Sequence, residues 1–265
     1  MEKKINLAVA QSPGALSGPE ERLFWLSRKL SELGKKLEGQ EVDLLLLPEL
    51  FLTGYNVGER LMGWAEPCDG PMAMRVSELA RQYNIAIHYG FPERRSDGVY
   101  NAAQCFGADG QQLSIHRKLI LPPGFEGDHF QPGEGCSLFE LNGFKIATLI
   151  CYDAEFPETF RHVASLGAQL VLVPTALGAQ WGVVAQKVIP TRAFENGVYV
   201  AYANQSGREG DITYFGGSCI IAPNGEELAR AGGKEEVLMA QLNTANVIAA
   251  QERLPYLNDL KRLQL

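Results

Sequence analysis

The sequence predicts an α/β protein in which helices cover both outer faces of two packed sheets, a four-layer α-β-β-α sandwich. In each half of the chain, short apolar runs typical of buried strands alternate with amphipathic helical patterns. Turn signals between neighbouring strands add hairpins to this alternation. No linker-like or low-complexity segment interrupts the 265 residues, so we interpret residues 1–265 as one domain.

The first half of the chain contains the clearest helical pattern. From Pro19, leucines recur at three- and four-residue steps among charged residues, which predicts an amphipathic helix lying on a sheet. These leucines are Leu23, Leu26, Leu30, Leu33 and Leu37. The other elements predicted in this half are strands at Ile5–Ala10, Val42–Leu47 and Asn84–Gly90, a helix at Pro71–Tyr83, and a hairpin of Val99–Phe106 and Gln111–Leu121.

The second half repeats the alternation. Its predicted elements are strands at Phe144–Ile150, Gln169–Pro174, Val198–Ala203 and Gly217–Ala222, with helices at Glu158–Gly167 and Gly182–Asn196. The C-terminal segment, about residues 250–265, mixes apolar and charged residues. We interpret it as an arm that covers a partner subunit, and a wrap over the chain's own surface is the alternative.

The composition favours a small-molecule substrate. A net charge of -7 and a pI near 5.2 argue against nucleic acid or an anionic membrane as partner. The first residues are too weakly apolar for a signal peptide, and no stretch is long enough for a membrane span, so we expect a cytoplasmic protein. The five cysteines and four histidines show no metal-ligand spacing, so we expect no metal and no cofactor.

Cys151 stands where a buried strand gives way to a turn and a helix. The strand fixes the backbone, and the start of the helix provides a favourable field for an anion, so this position suits a nucleophile. The alternative is a small apolar residue that closes the core strand, since free cysteines are often buried. The sequence around Cys151 alone leaves the two interpretations even.

Two further charged residues also follow predicted strands. Glu49 comes after Val42–Leu47 and Pro48, and Lys118 ends the second arm of the hairpin. A surface turn and a solvated edge charge would explain them separately. If the strands lie side by side, the carboxylate, the ammonium and the thiol of Cys151 converge.

Such a convergence predicts a definite chemistry. The lysine would lower the pKa of the thiol and stabilise an oxyanion, together with backbone N–H groups after the cysteine. The carboxylate would accept the thiol proton and later activate water. The target would be an amide carbon, attacked to form a thioester with loss of ammonia, and no histidine is required.

Three ordered segments carry a resemblance to a known family. LLLLPELFLTGYN around Glu49, HRKLILP around Lys118 and LICYDAEFPE around Cys151 resemble the signature blocks of the nitrilase superfamily of carbon–nitrogen hydrolases. The resemblance implies the nitrilase-type sandwich, usually assembled as a homodimer or a higher homo-oligomer. It also implies that Glu49 is the general base, Lys118 the oxyanion-stabilising lysine and Cys151 the nucleophile.

The resemblance extends to a fourth catalytic residue and to a branch. Glu126 matches a second glutamate that many members carry after the lysine, and its alternative is a solvated loop acid. FLTGYN, DGPMAM, CYDAEFPE and PYLNDL are most similar to the 5-aminopentanamidase branch, with stereoselective amidases near it. This implies hydrolysis of a small primary amide to a carboxylic acid and ammonia.

Glu155 is the predicted specificity residue. Branches that prefer carboxylate-bearing substrates often carry arginine at this position, four residues after the nucleophile. A glutamate there would attract a substrate ammonium and repel a carboxylate. The alternative is that Glu155 pairs with Arg192 or Arg161 and never meets substrate.

Three aromatic residues are predicted to line the substrate pocket: Tyr55, Tyr152 and Trp181. Core packing is the alternative for each of them. His129 and Asp128 are weaker candidates.

Two rival functions remain open at this point. Other branches of the superfamily use the same three catalytic residues to hydrolyse N-carbamoyl amines or nitriles. A non-catalytic binding subunit that keeps the fold is the second alternative, and the presence of all three residue types disfavours it.

Overall fold

A computed structural model of the protein describes residues 2–36 and 41–264, so Leu37 and Leu265 lie outside the described residues. The strands, in chain order, are β1 (Lys4–Pro13), β2 (Leu44–Leu46), β3 (Ala86–Arg95), β4 (Gly98–Phe106), β5 (Gln112–Arg117), β6 (Leu138–Leu141), β7 (Phe144–Thr148), β8 (Leu170–Pro174), β9 (Tyr199–Ala203), β10 (Gln205–Ser206), β11 (Arg208–Glu209), β12 (Ile212–Thr213), β13 (Cys219–Ile221), β14 (Glu227–Arg230) and β15 (Glu236–Asn243).

The α-helices are α1 (Pro19–Lys36), α2 (Arg60–Trp64), α3 (Pro71–Tyr83), α4 (Phe125–His129), α5 (Pro157–Ser165), α6 (Ile189–Asn196), α7 (Thr244–Arg253) and α8 (Tyr256–Asp259). Short 3₁₀ turns cover Cys151–Glu155, Ala179–Trp181 and Leu260–Arg262, and a π turn covers Val184–Val188. No helix within the described ranges is long and apolar enough to cross a membrane.

The strands form two large sheets that pack face to face. The first has the order β10-β1-β2-β3-β4-β5, with β15 antiparallel to β1, and the second has the order β14-β13-β9-β8-β7-β6. Apolar side chains of both sheets, such as Leu7 and Val9 from β1 and Leu170 and Leu172 from β8, form the central core. This arrangement buries one face of each sheet.

Helices cover the outer faces of both sheets. Leucines of α1, with Val76 and Ala80 of α3, pack on the first sheet. Phe160 and Val163 of α5, with Ile189 of α6, pack on the second. The predicted α-β-β-α sandwich is therefore confirmed, because each amphipathic helix finds its partner surface on the outside of a sheet.

The sheet register explains why strand ends meet. In the first sheet β2 and β3 are parallel, and β4 returns the chain so that β5 also runs parallel to β3. In the second sheet β7, β8 and β9 are parallel. The segments after β2, β5, β7 and β8 therefore leave their sheets in a common direction within each sheet.

Some predicted elements differ from the structure. The predicted helix Gly182–Asn196 is present over its full length, but residues Val184–Val188 form a π turn before α6, because Pro190 has no N–H to continue the α-helical ladder. The sequence pattern predicts no element over Glu236–Asn243, yet β15 pairs with β1 along eight residue pairs. Its alternating pattern carries a Gln and an Ala that weaken the strand signal.

The C-terminal segment lies on the second helical layer of its own chain. Leu257 joins the apolar cluster under α5 and α6. The Tyr256 ring packs edge-on against Phe194 with ring centroids 6.1 Å apart. Leu263 nevertheless remains 61% exposed, and the contact of this segment with a second subunit stays a prediction.

Gly90 is expected to be sensitive to substitution because β3 passes directly beneath the turn that carries Glu49. A Cβ atom at Gly90 would lie 2.7 Å from the Pro48 carbonyl oxygen and 2.8 Å from the Glu49 Cα. We expect Gly90→Ala to lower the free energy of unfolding by about 1–3 kcal/mol, the usual cost of overpacking. Urea denaturation measures it. Gly34→Ala is the matched control, because nothing lies within 4 Å of its Cβ position, and equal stability of both variants would contradict the argument.

Candidate active site

A cavity of about 480 Å³ opens where the ends of the strands meet. Six of the eight sequence-predicted site residues line it: Tyr55, Glu126, Cys151, Tyr152, Glu155 and Trp181. The other two, Glu49 and Lys118, are fully buried. The structure thus brings together residues that lie far apart in the chain.

Lys118 joins two carboxylates. Its Nζ donates to Glu49 Oε1 at 2.8 Å and to Glu126 Oε1 at 2.7 Å, and all three side chains are essentially inaccessible to solvent. An ammonium has three N–H donors, and two of them are accounted for within the described residues. The third N–H has no acceptor among the described residues.

Glu49 presents one oxygen that the protein does not satisfy. Its Oε1 accepts from Lys118 and from Asn101 Nδ2, the latter at 2.7 Å. Its Oε2 is buried, and no hydrogen-bond partner for it lies in the described part of the chain. A buried acceptor without a partner is rare, and it leaves a lone pair ready to receive a proton.

The Glu126 carboxylate accepts hydrogen bonds from three residues and is buried. The alternative that it is a solvated acid in a loop is therefore wrong. Besides Lys118, Glu126 accepts from Asn101 Nδ2 at 3.1 Å and from the Tyr55 hydroxyl at 2.7 Å. Burial and the charges of Glu126 and Glu49 raise the pKa of Tyr55 far above its ordinary value. The phenol therefore stays protonated and donates to Glu126.

Cys151 lies at a strained turn three residues after the end of the strand β7. Its φ of 46° lies in the left-handed region, which costs a residue with a side chain of order 1–3 kcal/mol. Leu50, which follows Glu49, has a φ of 48°. Both turns depart sharply from their strands, and the cysteine side chain lines the cavity as a result.

The pKa of Cys151 is raised well above its ordinary value. Removal from bulk water is the main cause, and the negative charges of Glu49 and Glu126 add to it. Lys118 and the Thr175 hydroxyl oppose these effects without outweighing them. Lys118 thus acts on the thiol in the expected direction, but the net pKa is raised because burial and the charges of Glu49 and Glu126 outweigh the ammonium.

The pKa values of Glu49 and Lys118, the two charged neighbours of the Cys151 thiol, are both raised. Burial lowers the pKa of Lys118, but the charges of Glu49, Cys151 and Glu126 outweigh it and hold the pKa above its ordinary range. Burial raises the pKa of Glu49, and Lys118 only partly offsets this. Lys118 thus stays charged, and Glu49 is a stronger base than an exposed glutamate.

Asp153 connects the segments that carry Lys118 and Cys151. Its Oδ1 accepts from the backbone N–H groups of Leu119 and Ile120 at 3.0 and 2.9 Å. Its Oδ2 accepts from the N–H of Ile150 at 3.1 Å. One buried carboxylate therefore sets the distance between the lysine and the nucleophile.

Glu155 lies in the cavity wall, half-buried, and its carboxylate makes no ion pair within 4.0 Å among the described residues. Arg192 instead donates to the Glu195 carboxylate at 2.9 Å and to the main-chain oxygen of Glu155 at 2.7 Å. Arg161 donates to the main-chain oxygen of Glu195. Burial raises the pKa of Glu155, and the more distant charges of Lys118 and Arg192 partly counter it.

The remaining candidates take peripheral positions. Trp181 lies at the cavity mouth and is 58% exposed, which excludes core packing for its ring. Tyr152 lines the cavity and packs edge-on against Phe156. The His129 ring donates a hydrogen bond from Nδ1 to the Phe125 carbonyl oxygen within α4, and Asp128 is exposed. No cluster of residues able to hold a metal ion occurs within the described ranges.

Sequence reasoning missed Asn101 and Asp153. Asn101 lies inside the buried strand β4, where an amide is unusual, and that oddity was the available signal. Asp153 lies two residues after Cys151 in a segment already singled out. Neither role could be assigned before the partner strands were known, because both residues act through contacts with distant segments.

The sandwich and the site together define a class of protein, the α-β-β-α hydrolases with a cysteine beside a buried glutamate–lysine pair. A family model for carbon-nitrogen hydrolases matches residues 7–252, so the chain belongs to the carbon–nitrogen hydrolase family, the nitrilase superfamily. It is an enzyme that acts on carbon–nitrogen bonds other than peptide bonds, of the amidase branch.

Named relatives and solved structures agree with this family. The chain is 45% identical over 226 residues to "Hydrolase in pqqF 5'region" of Pseudomonas protegens, covering 84% of this chain and 79% of the relative. It is 34% identical to an (R)-stereoselective amidase of Pseudomonas sp., covering 85% and 81%.

A solved structure of an amidase from Nesterenkonia sp. AN1, a double mutant in complex with acrylamide, matches with a TM-score of 0.83 at 30% identity. The match covers 97% of this chain and 96% of that one. Another structure of the same amidase carries the acetamide moiety of fluoroacetamide covalently added at its active-site cysteine.

Asp153→Asn should impair the site while leaving its charged groups in place. An asparagine offers one acceptor oxygen, and its NH₂ group would face backbone N–H groups that Asp153 now accepts from. We expect kcat for amide hydrolysis to fall by at least about tenfold, as for other misplaced catalytic groups. Steady-state ammonia release measures it. Asp128→Asn, at an exposed position, is the control, and equal rates for the two variants would contradict the bracing role.

Proposed function

We propose that the chain hydrolyses small primary amides, preferably amine-bearing ones such as 5-aminopentanamide, to a carboxylic acid and ammonia through a cysteine thioester. The observation that carries the proposal is the buried Lys118, held between Glu49 and Glu126 at 2.8 and 2.7 Å beside a cavity lined by Cys151. Such a group supplies a base, an oxyanion partner and a nucleophile.

The first half of the reaction forms the thioester. Cys151 Sγ attacks the amide carbon as its proton passes to Glu49 Oε2, since the raised thiol pKa requires a base during attack. The carbonyl oxygen becomes an oxyanion and accepts from Lys118 Nζ. Glu49 then gives the proton to the amide nitrogen, the carbon–nitrogen bond breaks, and ammonia leaves.

The second half consumes the thioester. A water molecule attacks the thioester carbon while Glu49 takes one of its protons. The carbon–sulfur bond breaks, the proton returns to Cys151, and the carboxylic acid is released. Glu126, fixed by Lys118, Asn101 and Tyr55, holds the amide group or the water in line for attack.

The charge of the cavity supports an amine-bearing substrate. Glu126 and Glu155 contribute two carboxylates to the lining, and none of the described lining residues is a lysine, arginine or histidine. Opposite charges in a partly desolvated site attract more strongly than in water. The substrate carboxylate of a dicarboxylic acid amide would be repelled by the same groups.

An N-carbamoyl amine would suit the same acidic cavity and the same catalytic residues. Its hydrolysis releases carbon dioxide along with ammonia, whereas a simple amide releases ammonia alone. Measurement of both gases therefore distinguishes the two substrate classes.

The proposed activity is tested by ammonia release from 5-aminopentanamide, prolinamide, butyramide and glutaramate. We expect the amine-bearing amides to be hydrolysed with the highest kcat/KM and Cys151→Ala to lose turnover entirely, because the thiol is the nucleophile. Preference for butyramide or glutaramate would contradict the substrate assignment. Undiminished activity of Cys151→Ala would overturn the mechanism.

Glu155→Gln should reduce the preference for amines. Loss of one partly buried charge a few ångströms from a substrate ammonium is expected to lower the ratio of kcat/KM for 5-aminopentanamide over butyramide by about tenfold. Glu158→Gln, exposed on α5, makes the same change in net charge and is the control.

The same preference should depend on pH. Because the pKa of Glu155 is raised, its charge is present above that pKa and is lost as the pH falls through it, at a higher pH than for an exposed glutamate. The measurement is the ratio of kcat/KM for 5-aminopentanamide over butyramide as a function of pH. If this ratio is the same in Glu155→Gln as in the wild type, Glu155 does not contact the substrate ammonium.

A further inference from the structure

We propose that Glu209 is a positioning residue. It joins the loop of Tyr55 and Asn56 to the hairpin of β11 and β12, and it thereby keeps the Tyr55 hydroxyl in contact with Glu126. Neither Glu209 nor its partner Arg22 is among the residues that line the cavity. The inference rests on the proposed role of Glu126 in the function above, and it assigns a role to a buried ion pair outside the reacting groups.

Glu209 forms a buried ion pair with Arg22. Arg22 of α1 and Glu209 of β11 are 0% and 6% exposed, and Arg22 donates to Glu209 Oε1 at 2.9 Å. The same guanidinium donates to the carbonyl oxygens of Phe51 and Gly14 at 3.1 and 3.2 Å. Such a pair is costly to desolvate, and these hydrogen bonds offset part of the cost, although the Arg22 Nε has no acceptor among the described residues.

The second oxygen of Glu209 holds the loop that carries Tyr55. Glu209 Oε2 accepts from the backbone N–H groups of Tyr55 at 3.0 Å and Asn56 at 2.7 Å. It also accepts from the Tyr214 hydroxyl at 2.5 Å. The carboxylate therefore satisfies donors from three separate segments, and it sets where the Tyr55 backbone lies.

The loop and the hairpin are joined a second time. The Asn56 side chain donates to the Glu209 carbonyl at 3.0 Å and to Asp211 Oδ1. Ile212, in the next strand of this hairpin, pairs with Glu209 and lines the cavity. Movement of Glu209 would therefore move both Tyr55 and Ile212.

Gly54 shows how closely the loop is packed onto the pair. Its φ of 88° favours glycine, and a Cβ there would contact the Glu209 carboxylate and lie 2.9 Å from an Arg22 nitrogen. The loop thus reaches the ion pair only because residue 54 has no side chain. From that position the Tyr55 hydroxyl reaches Glu126 at 2.7 Å.

The test is a double-mutant cycle between Glu209→Gln and Tyr55→Phe. The readout is the rate at which iodoacetamide, a small electrophile with an amide group, alkylates Cys151, followed by peptide mass mapping to separate it from Cys68 and Cys136. We expect Glu209→Gln to slow alkylation by about tenfold in the wild-type background. In Tyr55→Phe it should slow alkylation by less than about twofold, because coupled residues are non-additive.

Equal slowing in both backgrounds, or no slowing in either, would overturn the proposal, since a merely structural ion pair would act independently of the Tyr55 hydroxyl. If Glu209→Gln does not fold, Tyr214→Phe replaces it in the cycle, because it removes one donor and leaves the ion pair intact. Its slowing should again vanish in Tyr55→Phe, and a slowing that persists there would overturn the proposal.

Glu235→Gln is the matched control, because it breaks the surface ion pair with Lys29 on the same helix α1 and should not alter the rate. Ammonia release from 5-aminopentanamide and butyramide is measured in parallel. Rapid alkylation of the wild-type Cys151 without ammonia release would contradict the proposed function. The double-mutant cycle would still test the role of Glu209, because its readout is the alkylation rate and not turnover.

Discussion

The sharing of one buried ammonium by two buried carboxylates is the interaction on which the site depends. Isolated charges are costly in a protein interior, and Lys118 is tolerated there because Glu49 and Glu126 both accept from it. The group retains a net negative charge, so a thiolate beside it would add a second one. Burial, together with the charges of Glu49 and Glu126, raises the pKa of the Cys151 thiol, so its attack needs a base. The base proposed above is Glu49 Oε2, which has no hydrogen-bond partner among the described residues.

The fold serves this interaction by delivering each group from a different strand end. Glu49 follows β2, Lys118 follows β5, and Cys151 follows β7 of the other sheet. Side chains placed this way need bracing, because each lies just beyond the end of its strand. Asp153 supplies bracing across the two sheets, and the close passage of β3 at Gly90 supports the turn of Glu49.

The fold class and four helices, α1, α3, α5 and α6, followed from periodicity, whereas elements with weak patterns, such as α7 and β15, did not. The predicted helix Gly182–Asn196 is helical throughout, and only the π turn before Pro190 went unpredicted. The strand β15 went unassigned because its stability comes from pairing with β1 at the other end of the chain. Such long-range pairing is a tertiary effect that overrides local propensity.

By itself the sequence determined the residue types of the site, their order and their location after buried strands, because hydrophobic runs and the breaks that follow them are local properties. It also carried the blocks that resemble the nitrilase superfamily. Only the tertiary structure decided that Asn101 and Asp153 join the site and that the pKa of Cys151 rises. Hydrogen bonds and charge interactions act through space, so they depend on which distant segments the sheets bring together.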